Sequence, residues 1–144
     1  MTTTSWGLTD LSNDELEMLR EGEALIIDVR TEKEWINDGV IKGAAMITYF
    51  DESMKPDKKG FMQQLEKLTK GDKNRQIVLV CRSGQRSKLV AGVLEREGYT
   101  NLYHLAEGMI GWKKEGRTVC SNQSNILNLL KSARTNQTPA VIAR

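Results

Sequence analysis

The sequence predicts an α/β fold: a mainly parallel sheet with helices packed on both faces. Three observations carry the prediction. Short apolar runs, most clearly at 24–28 and 77–81, are bounded by turn residues, the pattern of strands covered on both sides. Segments with apolar residues at helical spacing lie between the strand candidates, and two of them open with a capping box. Strands that alternate with helices in this way belong to parallel sheets.

The elements follow in order along the chain. Residues 5–8 serve as the first strand candidate, which brings the sheet to five strands. Ser12 and Glu15 form a capping box, Leu11 and Leu16 stand at the staple positions, and Gly22 suits the far end of that short helix. The run 24–28 is a strand. Thr31 and Glu34 form a second capping box, opening about two turns of helix that Gly39 stops. Residues 43–47 read as a short strand, and 49–60, polar and containing Pro56, as a loop. Phe61, Met62, Leu65 and Leu68 then recur at helical spacing up to Gly71. The strand at 77–81 is followed by a helix whose apolar face is Leu89, Val90, Val93 and Leu94, ending at Gly98. A strand at 101–105 and a short helix at 109–114 complete the domain. Composition shifts after Gly116, so residues 1–116 are taken as one domain and 117–144 as a polar C-terminal tail. The tail has an apolar patch, Ile126, Leu127, Leu129 and Leu130, suited to a short helix, and its last ten residues give little reason for order.

Composition narrows the function classes. The chain has 144 residues, 39% hydrophobic and 28% charged, which suits one globular domain needing neither disulfides nor a structural metal. Twenty-one Lys and Arg against 19 Asp and Glu leave +2, too mild to point to nucleic acid or an anionic membrane. Two Cys and one His cannot alone furnish a four-ligand zinc site, and no cofactor or metal is expected. The opening MTTTSWGLTD has no basic region followed by an apolar stretch. The longest apolar runs fall far short of the ~20 residues a membrane helix needs. A cytoplasmic protein is the expectation.

The informative segment is Cys81-Arg82-Ser83-Gly84-Gln85-Arg86-Ser87. A strongly apolar strand ends at a Cys, six small or polar residues follow, and a helix begins near Arg86. That helix start, the inward N–H groups of the loop, and the cations Arg82, Arg86 and Lys88 all favour thiolate over thiol at Cys81. Gly84 lets the loop adopt a positive φ and curl into a cradle. A Cys ending a buried strand is commonly just a small apolar residue. The loop behind this one makes it the candidate nucleophile.

These residues resemble a known family. Cys81 to Ser87 is similar to the active-site loop of single-domain rhodanese-like sulfurtransferases. Asp28-Val29-Arg30 with Glu34, Gly39, Ile41, Gly43 and Ala44 resembles that family's stretch after its second strand, and Leu105-Ala106-Glu107-Gly108-Met109 with Trp112 its closing segment. The three motifs cover roughly residues 6 to 116 in order. The resemblance implies a five-stranded, mainly parallel sheet flanked by helices. It also implies a cycle in which a cysteine takes a sulfane sulfur from a donor such as thiosulfate and passes it to cyanide or a thiol. Carried over, Cys81 bears the persulfide, the N–H groups of 82–87 bind the terminal sulfur, and Arg82 and Arg86 attract an anionic donor. Ser83, Gly84, Gln85 and Ser87 complete the substrate-binding loop, Ser83 and Ser87 with their hydroxyls. The partners implied are a small anionic sulfur donor and a thiol or cyanide acceptor, which a sulfur-accepting protein could supply.

Asp28, Arg30 and Glu34 read as structural support. An Arg30–Glu34 ion pair would fix the strand-to-helix turn, and Asp28 would brace the neighbouring active loop. Two positions depart from the family pattern: Val40 stands where a His is common, and Glu107-Gly108 where two Gly are common. Glu107 could set a carboxylate beside the site. His104, the single histidine, is read as a strand-end residue, with no Ser or Asp identified to complete a triad. Cys120 reads as an inert surface thiol, and Trp6, Trp35 and Trp112 as packing residues.

Two other functions compete on the residues. A Cys-dependent phosphatase uses a loop one residue longer than the four that separate Cys81 from Arg86, and the shorter bowl suits one sulfur better than a phosphoryl group. A non-catalytic rhodanese-like binding module would lack the cysteine, whereas a sulfur-carrier module would keep it.

Overall fold

A computed structural model describes residues 2–3 and 8–144. Contacts divide it into two compact units, Met1–Ile27 with Asp72–Arg117, and Asp28–Gly71 with Thr118–Arg144. The predicted α/β class with a mainly parallel sheet is what the structure has. In the first unit the strand order is β1 (Thr2–Thr3), β2 (Thr9–Leu11), β6 (Leu102–Leu105), β5 (Ile77–Val80), then β3 (Leu25–Asp28), of which residues 25–27 belong to this unit. β2 runs parallel to β6 and β6 to β5, while the two-residue β1 is antiparallel. Among the described residues the first parallel strand of the sheet is at 9–11. Leu8 is buried outside any strand, and residues 5–7, with Trp6, lie outside the described residues. The register of β2 is parallel to β6: Thr9, Asp10 and Leu11 stand opposite Tyr103, His104 and Leu105.

Both capping boxes form. Ser12 accepts from the Glu15 N–H at the start of α1 (Asn13–Glu21), and Thr31 from the Glu34 N–H at the start of α2 (Glu32–Asp38). All four β5 residues are buried, as a strand covered on both faces requires. They pack against α4 (Gln85–Arg96). The buried stripe of α4 is Ser87, Val90, Ala91 and Leu94, while Leu89 is 58% exposed. The apolar face expected through Leu89 and Val93 is thus rotated: spacings of three and four from Ser87 select Val90, Ala91 and Leu94. This rotation places a polar side chain, Ser87, in the interior of the unit.

In the second unit α3 (Lys58–Thr69) begins within the segment expected as a loop, because the Asp57 carboxylate caps the Gly60 N–H at 3.0 Å. Its Phe61 packs edge-to-face on Tyr49, with ring centroids 5.2 Å apart. The polar tail carries α6 (Gln123–Asn136), fourteen residues long, and β7 (Ala140–Val141), which pairs antiparallel with β4 (Ala45–Met46). Ile126, Leu130, Ala140 and Ile142 are buried, and Cys120 exchanges backbone hydrogen bonds with Val40 at 2.7 and 2.9 Å. The last ten residues, expected to lack order, thus include a paired strand. Among the described residues no helix is long and apolar enough to cross a membrane.

Candidate active site

Cys81 directly follows β5, and the chain turns at once into α4, whose N-cap is Gly84 at φ +95°. The Cys81 Sγ accepts hydrogen bonds from the backbone N–H groups of Gly84 at 3.1 Å and Ser87 at 3.3 Å. It lies 3.4 Å from the Ser87 hydroxyl. The twelve-residue helix behind it adds the positive end of its dipole, which together with the two N–H groups favours negative charge on sulfur. Cys81 is fully buried at the floor of the loop.

Of the loop residues named from sequence, Gly84 and Ser87 are buried against the sulfur and Arg86 is half-buried. Arg82, Ser83 and Gln85 are exposed. A Cβ on Gly84 would collide with the carbonyl oxygen of Ala106, so the close approach there requires glycine. The back of the loop is held by α5 (Gly108–Lys114): the Met109 N–H donates to the Cys81 carbonyl at 2.9 Å and the Ile110 N–H to that of Arg82 at 3.0 Å. Gly108, at φ +60°, approaches so near that a Cβ would stand 2.6 Å from the Cys81 carbonyl oxygen. Only the second position of the Glu107-Gly108 pair therefore needs glycine, and Glu107 is exposed.

Asp28, Arg30 and Glu34 lie in the second unit. Arg30, fully buried, donates from Nη2 to Asp28 Oδ2 at 2.7 Å and to the Gly39 carbonyl at 2.7 Å. Its Nε reaches Asp28 Oδ1 at 2.9 Å. The fork that a guanidinium presents matches a carboxylate two-to-two, and so Asp28 becomes the principal partner of Arg30. Glu34 closes the capping box and adds attraction from a distance.

His104 is where the sequence reading fails. It is fully buried, and its two ring nitrogens are both engaged: Nδ1 lies 2.8 Å from Ser87 Oγ and Nε2 lies 2.7 Å from Asp10 Oδ1. A Ser and an Asp do flank it, one from α4 and one from β2. The polar His104 inside the mainly apolar strand Leu102–Leu105 was the available signal. Their pairing depends on β2 lying beside β6 in register, which the strand placed at 5–8 concealed. Burial pushes the imidazole below its ordinary range, the Asp10 carboxylate opposes that, and Lys88 reinforces it. Trp35 and Trp112 are buried packing residues, and Cys120 is half-buried beside Val40.

The rhodanese-like domain profile matches residues 12–115, most of the chain. The chain belongs to the rhodanese-like family. Among curated proteins, this rhodanese-like chain is 31% identical over 93 residues to the "Putative sulfurtransferase YtwF" of Bacillus subtilis, covering 65% of this chain and 77% of that protein. It is 26% identical over 103 residues to a tRNA uridine(34) hydroxylase of Erwinia tasmaniensis, covering 69% of this chain but only 27% of the hydroxylase. The chain thus spans about a quarter of the length of the hydroxylases it matches. Among solved structures, a rhodanese-like domain protein from Staphylococcus aureus superimposes with a TM-score of 0.55 at 28% identity, covering 77% of this chain and 97% of the other.

Proposed function

We propose that this rhodanese-like chain is a sulfurtransferase that moves sulfane sulfur from an anionic donor such as thiosulfate to cyanide or a thiol through a persulfide on Cys81. The observation that carries the reading is the Cys81 sulfur itself, held by the Gly84 and Ser87 N–H groups at the start of α4. Family membership and the sulfurtransferase name of one relative support it. The thiolate attacks the outer sulfur of thiosulfate, the S–S bond breaks, and its electron pair leaves with sulfite. The persulfide then gives its terminal sulfur to cyanide as thiocyanate, or to a thiolate, and the Cys81 thiolate returns. Arg82 and Arg86 flank the loop with two positive charges that favour a dianionic donor and a departing sulfite. The small bowl leaves the N–H groups of the loop to hold a single sulfur. The expected partners are a small anionic donor and a thiol or cyanide acceptor.

Intact mass spectrometry tests the reading. Incubation with thiosulfate should add one sulfur atom to the wild-type chain, cyanide should remove it as thiocyanate, and Cys81→Ser should gain none while keeping its circular dichroism. Because Cys81 is fully buried, iodoacetamide should label it far faster than a maleimide carrying a bulky polymer. Ready hydrolysis of aryl phosphates, with no sulfur gained from any donor, would replace the reading with a phosphatase.

A further inference from the structure

The sulfur of Cys81 begins a continuous chain of polar side chains that leads out of the interior. Sγ is 3.4 Å from Ser87 Oγ, Ser87 Oγ is 2.8 Å from His104 Nδ1, and His104 Nε2 is 2.7 Å from Asp10 Oδ1. The first three residues are fully buried, whereas the Asp10 side chain is 29% exposed. Four elements supply the links: the end of β5, the first turn of α4, β6 and β2. Buried polar groups are costly where they lack hydrogen-bond partners, and this set is satisfied end to end.

The hydrogen-bond directions follow from the ends. Asp10 as a carboxylate can only accept, so Nε2 carries the proton and donates to it. Nδ1 is then a bare acceptor, and the Ser87 hydroxyl donates to it. The Ser87 oxygen is left with a lone pair facing Sγ, where it can accept from a thiol S–H. Ser87 also lies 3.1 Å from the Gly84 carbonyl, which gives its hydroxyl proton a second acceptor when His104 is protonated on both nitrogens.

We infer that Asp10, His104 and Ser87 form a proton relay that takes the proton from the Cys81 thiol, with His104 as the base, Ser87 as the link and Asp10 as the group that orients the ring and stabilises its cation. In the step, the S–H bond breaks and its proton passes to Ser87 Oγ while the Ser87 proton passes to His104 Nδ1. The products are a thiolate and an imidazolium, with no change in net charge and no other reactant. Ser87 ends with its hydroxyl restored. The imidazolium gives up its Nε2 proton to water by way of Asp10, the one member that solvent reaches, and the neutral ring that remains keeps the transferred proton on Nδ1, directed at Ser87 Oγ.

The charged groups facing His104 are consistent with this role. Asp10 from β2 attracts a proton to the ring, Lys88 from α4 opposes it, and Cys81 lies beyond Ser87 at the end of β5. Burial lowers the proton affinity of the ring, which favours the neutral form that can act as a base. The proposal deepens the sulfurtransferase reading and rests on Cys81 being the reactive thiol, but it concerns the thiol's proton and can be measured without any sulfur donor.

The test is the pH profile of iodoacetamide labelling at Cys81, followed by peptide mass spectrometry in the full chain so that Cys120 is scored separately. Thiolate absorbance in the far ultraviolet provides a second readout. Asp10→Asn preserves shape at a partly exposed position and is the variant surest to fold; His104→Gln and Ser87→Ala remove the base and the link, and Ser87→Thr restores the hydroxyl. The expected result is a labelling midpoint moved to higher pH in Asp10→Asn, His104→Gln and Ser87→Ala. Labelling at pH 6.5 should fall by about tenfold, as when the thiolate fraction drops by one decade. Ser87→Thr should keep the wild-type profile. Folded Asp10→Asn protein whose profile superimposes on wild type would overturn the relay, as would Ser87→Thr behaving like Ser87→Ala. A parallel thiosulfate assay separates the two readings. Shifted labelling with no sulfur transfer by the wild type leaves the relay and removes the sulfurtransferase; transfer with unshifted labelling does the reverse.

Discussion

Gly84 combines a φ of +95° with a Cα that faces the Ala106 carbonyl oxygen. Alanine there would be strained twice, by its backbone and by the collision. Gly84→Ala should therefore displace the N–H that points at sulfur, and sulfur transfer should fall on the order of a hundredfold, the effect of misplacing a reacting group by about 1 Å. Steady-state assay beside a thermal melt checks this; a folded variant with full activity would refute it. Arg86, half-buried on the same turn, is expected to act through charge. Arg86→Ala should slow sulfur loading from thiosulfate by about ten- to a hundredfold, in line with the removal of one group that stabilises developing anionic charge. The loss should be smaller with an uncharged donor, a comparison that stopped-flow or mass-resolved loading can make. An equal loss with both donors would assign Arg86 a structural part.

At the level of elements, α6 behaves as part of its unit and not as an appendage. Ile126 is fully buried and Leu130 nearly so, α6 packs on α2, and Arg134 pairs with Glu32 at 2.5 Å. The exposed ion pair contributes little, whereas the buried side chain contributes much. Ile126→Ala should cost about 2–4 kcal/mol, as for other large-to-small changes in packed interiors. Arg134→Ala should cost under about 1 kcal/mol. Urea titration of the two variants measures the difference, and both should retain sulfur transfer under folding conditions, since the loop is built in the other unit. A cost at Ile126 as small as that at Arg134 would mean that α6 is not held by burial.

For the whole molecule, His104 ties stability to pH. Its folded form holds the proton less tightly than the unfolded chain, where histidine titrates near about 6.5. Above that pH both states are neutral and the residue adds no pH dependence. Below it the unfolded chain takes up a proton that the folded protein refuses, so stability falls as pH drops toward the folded value. Unfolding free energy measured from pH 8 to pH 5 should decline below about pH 6.5 in the wild type, and the decline should flatten in His104→Gln. An identical slope in both would remove His104 as the source.

Much of the molecule was legible in the residues. The capping boxes at Ser12 and Thr31, the strands at 24–28 and 77–81, and the cysteine loop are local patterns, set by propensity, capping and turn chemistry within a few residues of one another. The α/β class follows from their alternation, and the loop glycine at position 84 could be assigned a positive φ before any neighbour was known. What only the tertiary structure decided is which distant segments meet. Asp10 and His104 are 94 positions apart and become neighbours through the parallel register of β2 and β6. Arg30 takes Asp28 as its principal partner because burial leaves a guanidinium needing a two-pronged acceptor. The tail orders because Ala140 and Ile142 find cover and β7 finds β4. Short-range preferences are written along the chain, whereas contacts across it depend on strand order and register, which no local pattern encodes.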